Sequence, residues 1–214
     1  MKSEQKIEKN ASTEEKIKEA ARVVFTRKGY AATRTRDIAE ESGYNLALIN
    51  YYFRSKEKLF DIIMVEHLHL FMQSIAGIVN DRSTTLFEKL EIIVAHYIDM
   101  LIANPGLPLF ILNEINADPD KLISKVGIGE MAHGELYIIT QWKEMAAANN
   151  AQLVNPLHIF MNLISLTIFP FVACLLIRNR TGISEENFNA LMLERKKLIP
   201  MWVKTIIMSS MQQT

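Results

Sequence analysis

The sequence contains little of what secreted, disulfide-linked or zinc-binding proteins depend on. Only one of its 214 residues, Cys174, is a cysteine, which excludes an internal disulfide framework and a cysteine-rich zinc site. The first residues, MKSEQKIEKNASTEEK, contain no apolar segment of the kind that a secretory signal peptide requires. Together these absences predict a protein of the reducing cytoplasm.

The chain also has no strand pattern, no internal repeat and no low-complexity segment. Hydrophobic residues make up 49% of it, and they recur at helical spacings of three and four. Capping boxes begin two of the helical segments, where Ser12 and Thr85 each stand three residues before a glutamate. The pattern predicts an all-α protein of about nine helices, the first beginning at Ser12. We expect an N-terminal domain over residues 12–58 and a second helical domain over residues 59–214.

The longest uncharged apolar segment is shorter than a membrane-spanning helix. The most apolar one, Leu163 to Ile177, has 15 residues without a charge and is interrupted by Pro170, whereas a spanning helix needs about 20. A single membrane span is the alternative. A helix from Pro156 to Ile177 that is buried at an oligomer interface fits this segment better. Two such helices from each of two chains would form a four-helix bundle. The residues expected at this dimer interface are Phe171, Leu175, Leu191, Trp202 and Ile206.

The net charge is zero, but the charges are unevenly distributed. Residues 1–60 carry 13 basic and 9 acidic side chains, and residues 61–214 carry 11 basic and 15 acidic ones. Residues 1–60 are therefore net basic and residues 61–214 net acidic, and the basic part is the better partner for a polyanion.

Residues 35–54 have the spacing of a helix-turn-helix. Ala39 is small enough for two helices to cross closely, and Gly43 permits the left-handed turn between them. The second helix, from Asn45 to about Phe53, would enter the major groove, with basic flanks on the phosphates. A generic helical hairpin is the alternative. The candidate DNA-binding residues are Thr33, Arg34, Thr35, Arg36, Asn45, Leu46, Ala47, Asn50, Tyr51, Tyr52 and Lys56.

Further residues around this segment follow a known family motif. They are Gly29-Tyr30, Thr33, Asp37-Ile38-Ala39, Gly43, Ile49, Phe53, Ser55-Lys56-Glu57 and Leu59. Through them, residues 12–70 resemble the N-terminal DNA-binding domain of the TetR family of bacterial transcriptional regulators. The chain departs from the motif at Tyr44, Asn45, Ala47 and Asn50, where the family has Val, Ser, Gly and Tyr. Tyr51 or Tyr52 would then take over the phosphate contact of the missing tyrosine.

The resemblance implies a homodimeric repressor that binds a double-stranded, pseudo-palindromic operator and is released by a small-molecule effector. A divergent C-terminal domain would hold the effector pocket, and the helix from Ser55 to about Asn80 would connect it to the DNA-binding domain. Eleven methionines suit a pocket for an apolar or amphipathic molecule, and equally an ordinary core. The candidate pocket residues are His67, Phe71, Tyr97, Met100, Phe110, Glu114, Trp142, Asn162 and Phe169.

Catalytic, cofactor and metal sites are not indicated. His67 and His69 are two residues apart on a helix, so their side chains diverge and do not share a metal ion. Gly127-x-Gly129 lacks the third glycine and the preceding strand of a dinucleotide site. We therefore predict a regulator that is not an enzyme and has no cofactor. The alternative is a helical ligand carrier or protein-binding scaffold without DNA binding.

Overall fold

The computed structural model describes the backbone of residues 2–127, 136–149 and 154–211, and the side chains of those from Ser12 onward. These residues form helices and no strand, which confirms the all-α prediction. They contain eleven helices, two more than expected: α1 Lys2–Ala32, α2 Thr35–Ser42, α3 Leu46–Phe53, α4 Lys56–Asn80, α5 Leu86–Ala103, α6 Leu107–Ala117, α7 Pro119–Val126, α8 Tyr137–Ala148, α9 Pro156–Val172, α10 Cys174–Thr181 and α11 Glu185–Met211.

Helix α1 begins earlier than predicted. Its first turn lies at Lys2 and not at Ser12, because the preceding residues are mostly good helix formers without glycine or proline. Gly29 has φ 74° and ψ 161°, which bends the chain three residues before the end of α1.

Two hydrophobic cores lie along the chain, and α4 contributes to both. The first half of α4, up to Met64, packs with α1, α2 and α3 in the core of an N-terminal unit that we call the head. From Leu68 onward α4 packs with α5, α7, α8, α9 and α11 in the core of the body. The change between the two cores therefore falls inside α4, between Met64 and Leu68, and the domain boundary at residue 58 stays a prediction.

By length and composition alone, helix α4 is suited to cross a membrane. The same holds for α5 with α6 and for α9 with α10, if each bent pair is taken as one span. In the structure the buried side chains of α4 are shared between the two cores. This packing buries only part of the apolar length of the helix, since Ile62 is 38% exposed and Leu70 is 63% exposed.

The predicted helix from Pro156 to Ile177 is divided in two. It bends by 60° at Ala173, between α9 and α10. Pro170 has no N–H for the carbonyl of Leu166, one turn earlier, and that oxygen instead accepts a hydrogen bond from Nη2 of Arg195 at 2.8 Å. An arginine from α11 thus stabilises the segment before the bend.

A buried lysine fixes the turn between α4 and α5. Lys89 has no exposed surface, and its ammonium group donates to the carbonyls of Asp81 and Thr84 and to the Thr84 hydroxyl. Sequence reasoning did not identify this residue. Its position in the apolar stripe of α5, three residues after Leu86, was the available signal.

Candidate nucleic-acid interface

The helix-turn-helix is built by local contacts that the sequence specifies. The N–H of Arg34 donates to Asp37 at 2.8 Å, which fixes the start of α2. Gly43 ends α2 at φ 71°, and the side chain of Asn45 accepts from the N–H of Leu48 at 2.8 Å and caps α3. Ile38 and Ile49 are buried between the two helices. The second helix is therefore held at a fixed angle against the first.

The outer face of α3 is exposed and uncharged. Leu46 is 41% exposed and Tyr51 is 70% exposed, and Ala47 and Asn50 are also exposed. Tyr51 lies edge-on to Tyr52, with ring centroids 5.3 Å apart, while the half-buried Tyr52 packs against the head core. Tyr51 is thus the phenol that faces outward.

Cations without an acidic partner lie around α3. Arg34, Arg36, Arg54 and Lys58 are exposed, and none of them forms an ion pair within the described part of the chain. Thr35, the first residue of α2, is half-buried beside them.

Four cations of α1, in contrast, form ion pairs with carboxylates: Lys18, Arg22, Arg27 and Lys28. Arg22 and Lys18 each contact Glu66 of α4 at 2.6 Å, and Arg27 contacts Glu41 at 2.9 Å. Hydrogen bonds to Glu15 and Glu66 raise the pKa of Lys18 despite its partial burial. Unpaired positive charge is therefore concentrated next to α3.

Two of the predicted DNA-binding residues have side chains that act inside the protein. Thr33 is 2% exposed, and its hydroxyl donates to the carbonyl of Gly29 at 2.7 Å. Lys56 donates to the carbonyls of Tyr30 and Thr33, each at 3.0 Å, and its ammonium lies 4.1 Å from the centre of the Tyr30 ring. Both side chains close the end of α1 against the start of α4. Helical spacing gives no sign of this, because the acceptors are carbonyls 23 and 26 residues away from Lys56.

Arg54, which follows α3, has an unusual backbone conformation. Its φ is 69°, and within the described residues it is the one non-glycine residue with a positive φ. Its N–H still donates to the carbonyl of Asn50 at 3.0 Å. A side chain of this size in that region is strained, and such strain often marks a functional position.

The body inserts two residues into the head core. Leu107 and Phe110, from the start of α6, are buried together with residues of α1 to α4. The Phe110 ring meets Phe60 edge-on at 6.3 Å, and Phe60 also packs on Phe25 at 5.1 Å. Gly106 approaches Phe60 so closely that an added Cβ would lie 2.8 Å from the ring. The head and the body are therefore joined by an aromatic cluster as well as by α4.

A small cavity lies beside this cluster. It has a volume of about 30 Å³ and is lined by Arg22, His67, Asn104 and neighbouring apolar residues. That is room for about two water molecules. Nδ1 of His67 is buried without a hydrogen-bond partner, and burial lowers the pKa of His67 below its usual 6.5.

Some of the predicted pocket residues meet in the body core. Phe71 and Tyr97 are in edge-to-face contact at 4.4 Å, and Trp142 is buried in the same core. Burial raises the pKa of Tyr97 to about 12. Met100 packs against both cores. These four residues belong to the apolar core of the body or pack against it, on α4, α5 and α8.

Other predicted pocket residues lie elsewhere. Phe169 is 65% exposed and Asn162 is exposed, because the buried face of α9 follows Ile159, Leu163 and Thr167 and both residues lie off that face. Phe110 belongs to the head core, and His67 lines the cavity against α1. Glu114 forms an ion pair with Lys125 at 3.1 Å. The interior of the body is thus less polar than expected.

The residues predicted at a dimer interface lie on α9, α10 and α11. Leu175 is 70% exposed, and Leu191 and Ile206 are also exposed. Trp202 is half-buried beside the Arg195 guanidinium, whereas Phe171 points inward and meets Phe188 edge-on at 5.9 Å. Further exposed apolar residues on these helices are Leu157, Phe160, Met161, Leu176, Leu193, Met201 and Met208.

The histidines of α4 diverge. His67 faces the cavity beside α1, whereas the Nδ1–H of His69 donates to the carbonyl of Val126 in α7 at 3.0 Å. Over the described ranges, no group of three or more His, Cys, Asp or Glu side chains is placed to hold a metal ion.

Comparison with known proteins agrees with this architecture. The chain superposes on a TetR/AcrR-family transcriptional regulator of Thermobifida fusca with a TM-score of 0.61, at 18% identity, covering 87% of this chain and 96% of the other. It also superposes on a Mesorhizobium loti protein assigned to the TetR family with a TM-score of 0.59, at 17% identity, covering 94% of this chain and 97% of the other. These similarities establish the fold.

The sequence comparisons assign the head to a family. The model of the family described as bacterial regulatory proteins, tetR family, matches residues 17–63. A Bacillus subtilis relative named Probable HTH-type transcriptional regulator YttP is 28% identical over 163 residues, covering 75% of this chain and 78% of the relative. The matched head contains the helix-turn-helix described above. The comparisons therefore support a TetR-family transcriptional regulator, whose residues 17–63 match the DNA-binding helix-turn-helix domain of that family.

Proposed function

We propose that the chain is a homodimeric repressor that leaves its operator when a small apolar or amphipathic effector binds the body. The observation that carries the proposal is the outer face of α3, exposed and uncharged, with unpaired cations around it. A surface of this kind fits a groove lined by base edges between two rows of phosphates.

In this proposal the side chains of the head have two different tasks. Leu46, Ala47, Asn50 and Tyr51 face the groove, while the unpaired cations described above and Thr35 contact phosphates. The side chains of Thr33, Asn45, Tyr52 and Lys56 hold the helices in place and act on DNA only through them. The exposure and the hydrogen bonds of each side chain support this division.

Two copies would associate through the exposed apolar surface of α9, α10 and α11. Exposed apolar residues that recur on neighbouring helices are typical of an interface. Pairing across a two-fold axis would place two copies of α3 on one face of DNA, about 34 Å or one helical turn apart. The repressor state is the one in which this spacing matches the groove.

The effector would enter the body at the apolar residues Phe71, Tyr97, Met100 and Trp142. A ligand shifts the balance between two states only if it binds one more tightly. Displacing Phe71 or Met100 would move α4 or the start of α6, and both elements continue into the head core. The proposed signal therefore crosses at the aromatic contact of Phe60 and Phe110.

Binding to DNA from the region upstream of the gene, measured by fluorescence anisotropy over a salt series with scrambled DNA as comparison, tests the proposal. Four phosphate contacts in each head would give a slope of log K against log salt of about −7. Lys58→Ala should make this slope shallower by about 2, because a dimer loses two contacts. Lys121→Ala, an exposed lysine of α7, is the matched control and should leave the slope unchanged.

Three outcomes would contradict parts of the proposal. Equal binding to both DNAs with an unchanged slope in Lys58→Ala would favour a ligand carrier or protein-binding scaffold. A monomer at micromolar concentration in sedimentation would refute the dimer. Operator binding that apolar and amphipathic compounds do not weaken would refute the effector class.

A further inference from the structure

We infer that α3 reads A·T base pairs, through thymine methyl groups and adenine, and not guanine or cytosine. The inference rests on the proposed operator binding and adds the class of DNA sequence that would be bound. It is carried by the functional groups that α3 exposes and by those that it lacks.

The exposed groups of α3 are two aliphatic side chains, one amide and one phenol. Leu46 and Ala47 present methyl groups in the first turn, and Asn50 lies one turn further along the same side as Leu46. The other asparagine, Asn45, has its oxygen occupied by the N–H of Leu48. Asn50 is therefore the one amide of this region with both its donor and its acceptor facing outward.

These groups match one of the two base pairs. In the major groove adenine offers an acceptor and a donor, which an asparagine amide pairs with, and thymine offers a methyl group for apolar contact. Guanine offers two acceptors, which arginine or lysine recognises, and cytosine offers a donor, which a carboxylate accepts. The sequence of α3, LALINYYF, contains no Arg, Lys, Asp or Glu.

The unpaired cations lie outside the outer face of α3, on the neighbouring segments of the chain. Arg34 and Arg36 belong to the start of α2, and Arg54 and Lys58 follow the last turn of α3. A guanine contact is thus confined to the outer positions of a half-site. Four residues of helix cover about 6 Å, or about two base steps, so we expect a run of about three or four A·T pairs beneath Leu46 and Asn50.

Selection of binding sites from random DNA with the full-length protein gives the first test, and base analogues give the second. Replacing one thymine of the selected site by deoxyuridine removes only the methyl group, and we expect about fourfold weaker binding at each contacted thymine. Leu46→Ala should abolish this sensitivity at its own thymine. Replacing adenine by 7-deazaadenine should weaken binding of the unmodified protein and have no further effect on Asn50→Ala.

Lys58→Ala is the matched control, because it should weaken binding to every DNA while keeping the response to deoxyuridine. A selected site with G·C pairs at the positions where Leu46→Ala and Asn50→Ala change the preference would overturn the inference and leave operator binding intact. Deoxyuridine effects that persist in Leu46→Ala would overturn it as well. If no sequence is selected at all, operator binding fails together with the inference.

Discussion

The insertion of Phe110 into the head core gives a prediction whose size can be worked out. Burying a phenylalanine side chain contributes about 1.5–3 kcal/mol, and the cavity left by Phe→Ala brings the usual cost to about 3–5 kcal/mol. Phe60, the edge-on neighbour of Phe110, is only half-buried, so the site can partly collapse. We therefore expect Phe110→Ala to lower the free energy of unfolding by about 3 kcal/mol, near the lower end of that range.

This change is measurable by chemical denaturation followed by circular dichroism, and as a fall in Tm of about 6–12 °C. Leu109→Ala is the matched control, since Leu109 is the exposed neighbour on the same helix and should cost about 0.5 kcal/mol or less. Hydrogen exchange should show that Phe110→Ala loses protection in residues 17–63 although the substitution is in α6. Equal effects of the two substitutions, or a loss of protection confined to the body, would refute the reasoning.

Three further substitutions test separate features of the structure. Lys89→Met should lower the free energy of unfolding by about 2–4 kcal/mol, because the acceptors at Asp81 and Thr84 lose their donor. Urea unfolding measures this change, and a loss below about 1 kcal/mol would contradict the role of Lys89 as the buried donor of this turn. Arg54→Gly should leave stability nearly unchanged, since relief of a positive φ offsets the flexibility of glycine, but weaken DNA binding and make its salt slope shallower. The folded-state pKa of His67 lies below 6.5, so the unfolded chain binds the proton first, and the free energy of unfolding should fall as the pH drops below 6.5 until it passes the folded-state pKa. His67→Gln should reduce this loss of stability between about pH 7.5 and 5.5 in urea titrations. An identical pH profile in the variant would disprove the role of His67.

The features that the sequence predicted correctly are formed by residues close together in the chain. Asn45, Ser55 and Thr85 cap their helices as the sequence indicates, and Gly43 adopts the left-handed conformation that its turn requires. Caps and turns involve neighbours within about four residues, so residue type and spacing are enough to place them. The same locality explains why the helix-turn-helix motif identified the family.

Positions that depend on distant parts of the chain were harder to predict. Spacing alone could not separate the outward Lys58 from Lys56, whose ammonium is held by carbonyls at the end of α1. The bend at Ala173 follows from Pro170, but the arginine that completes it comes from α11. Phe169 was predicted to line the pocket, because α9 is apolar on most sides and has no polar face to show which side is exposed.

The sequence by itself determined the helical class, the motif and the surface that α3 presents, because periodicity, capping and turn chemistry act over a few residues. Only the tertiary structure decided which cations are neutralised, where one core gives way to the next within α4, and that Leu107 and Phe110 complete the head. These outcomes depend on side chains from separate helices competing for the same space and the same partners. The spacing of residue types along a single helix does not reveal this competition.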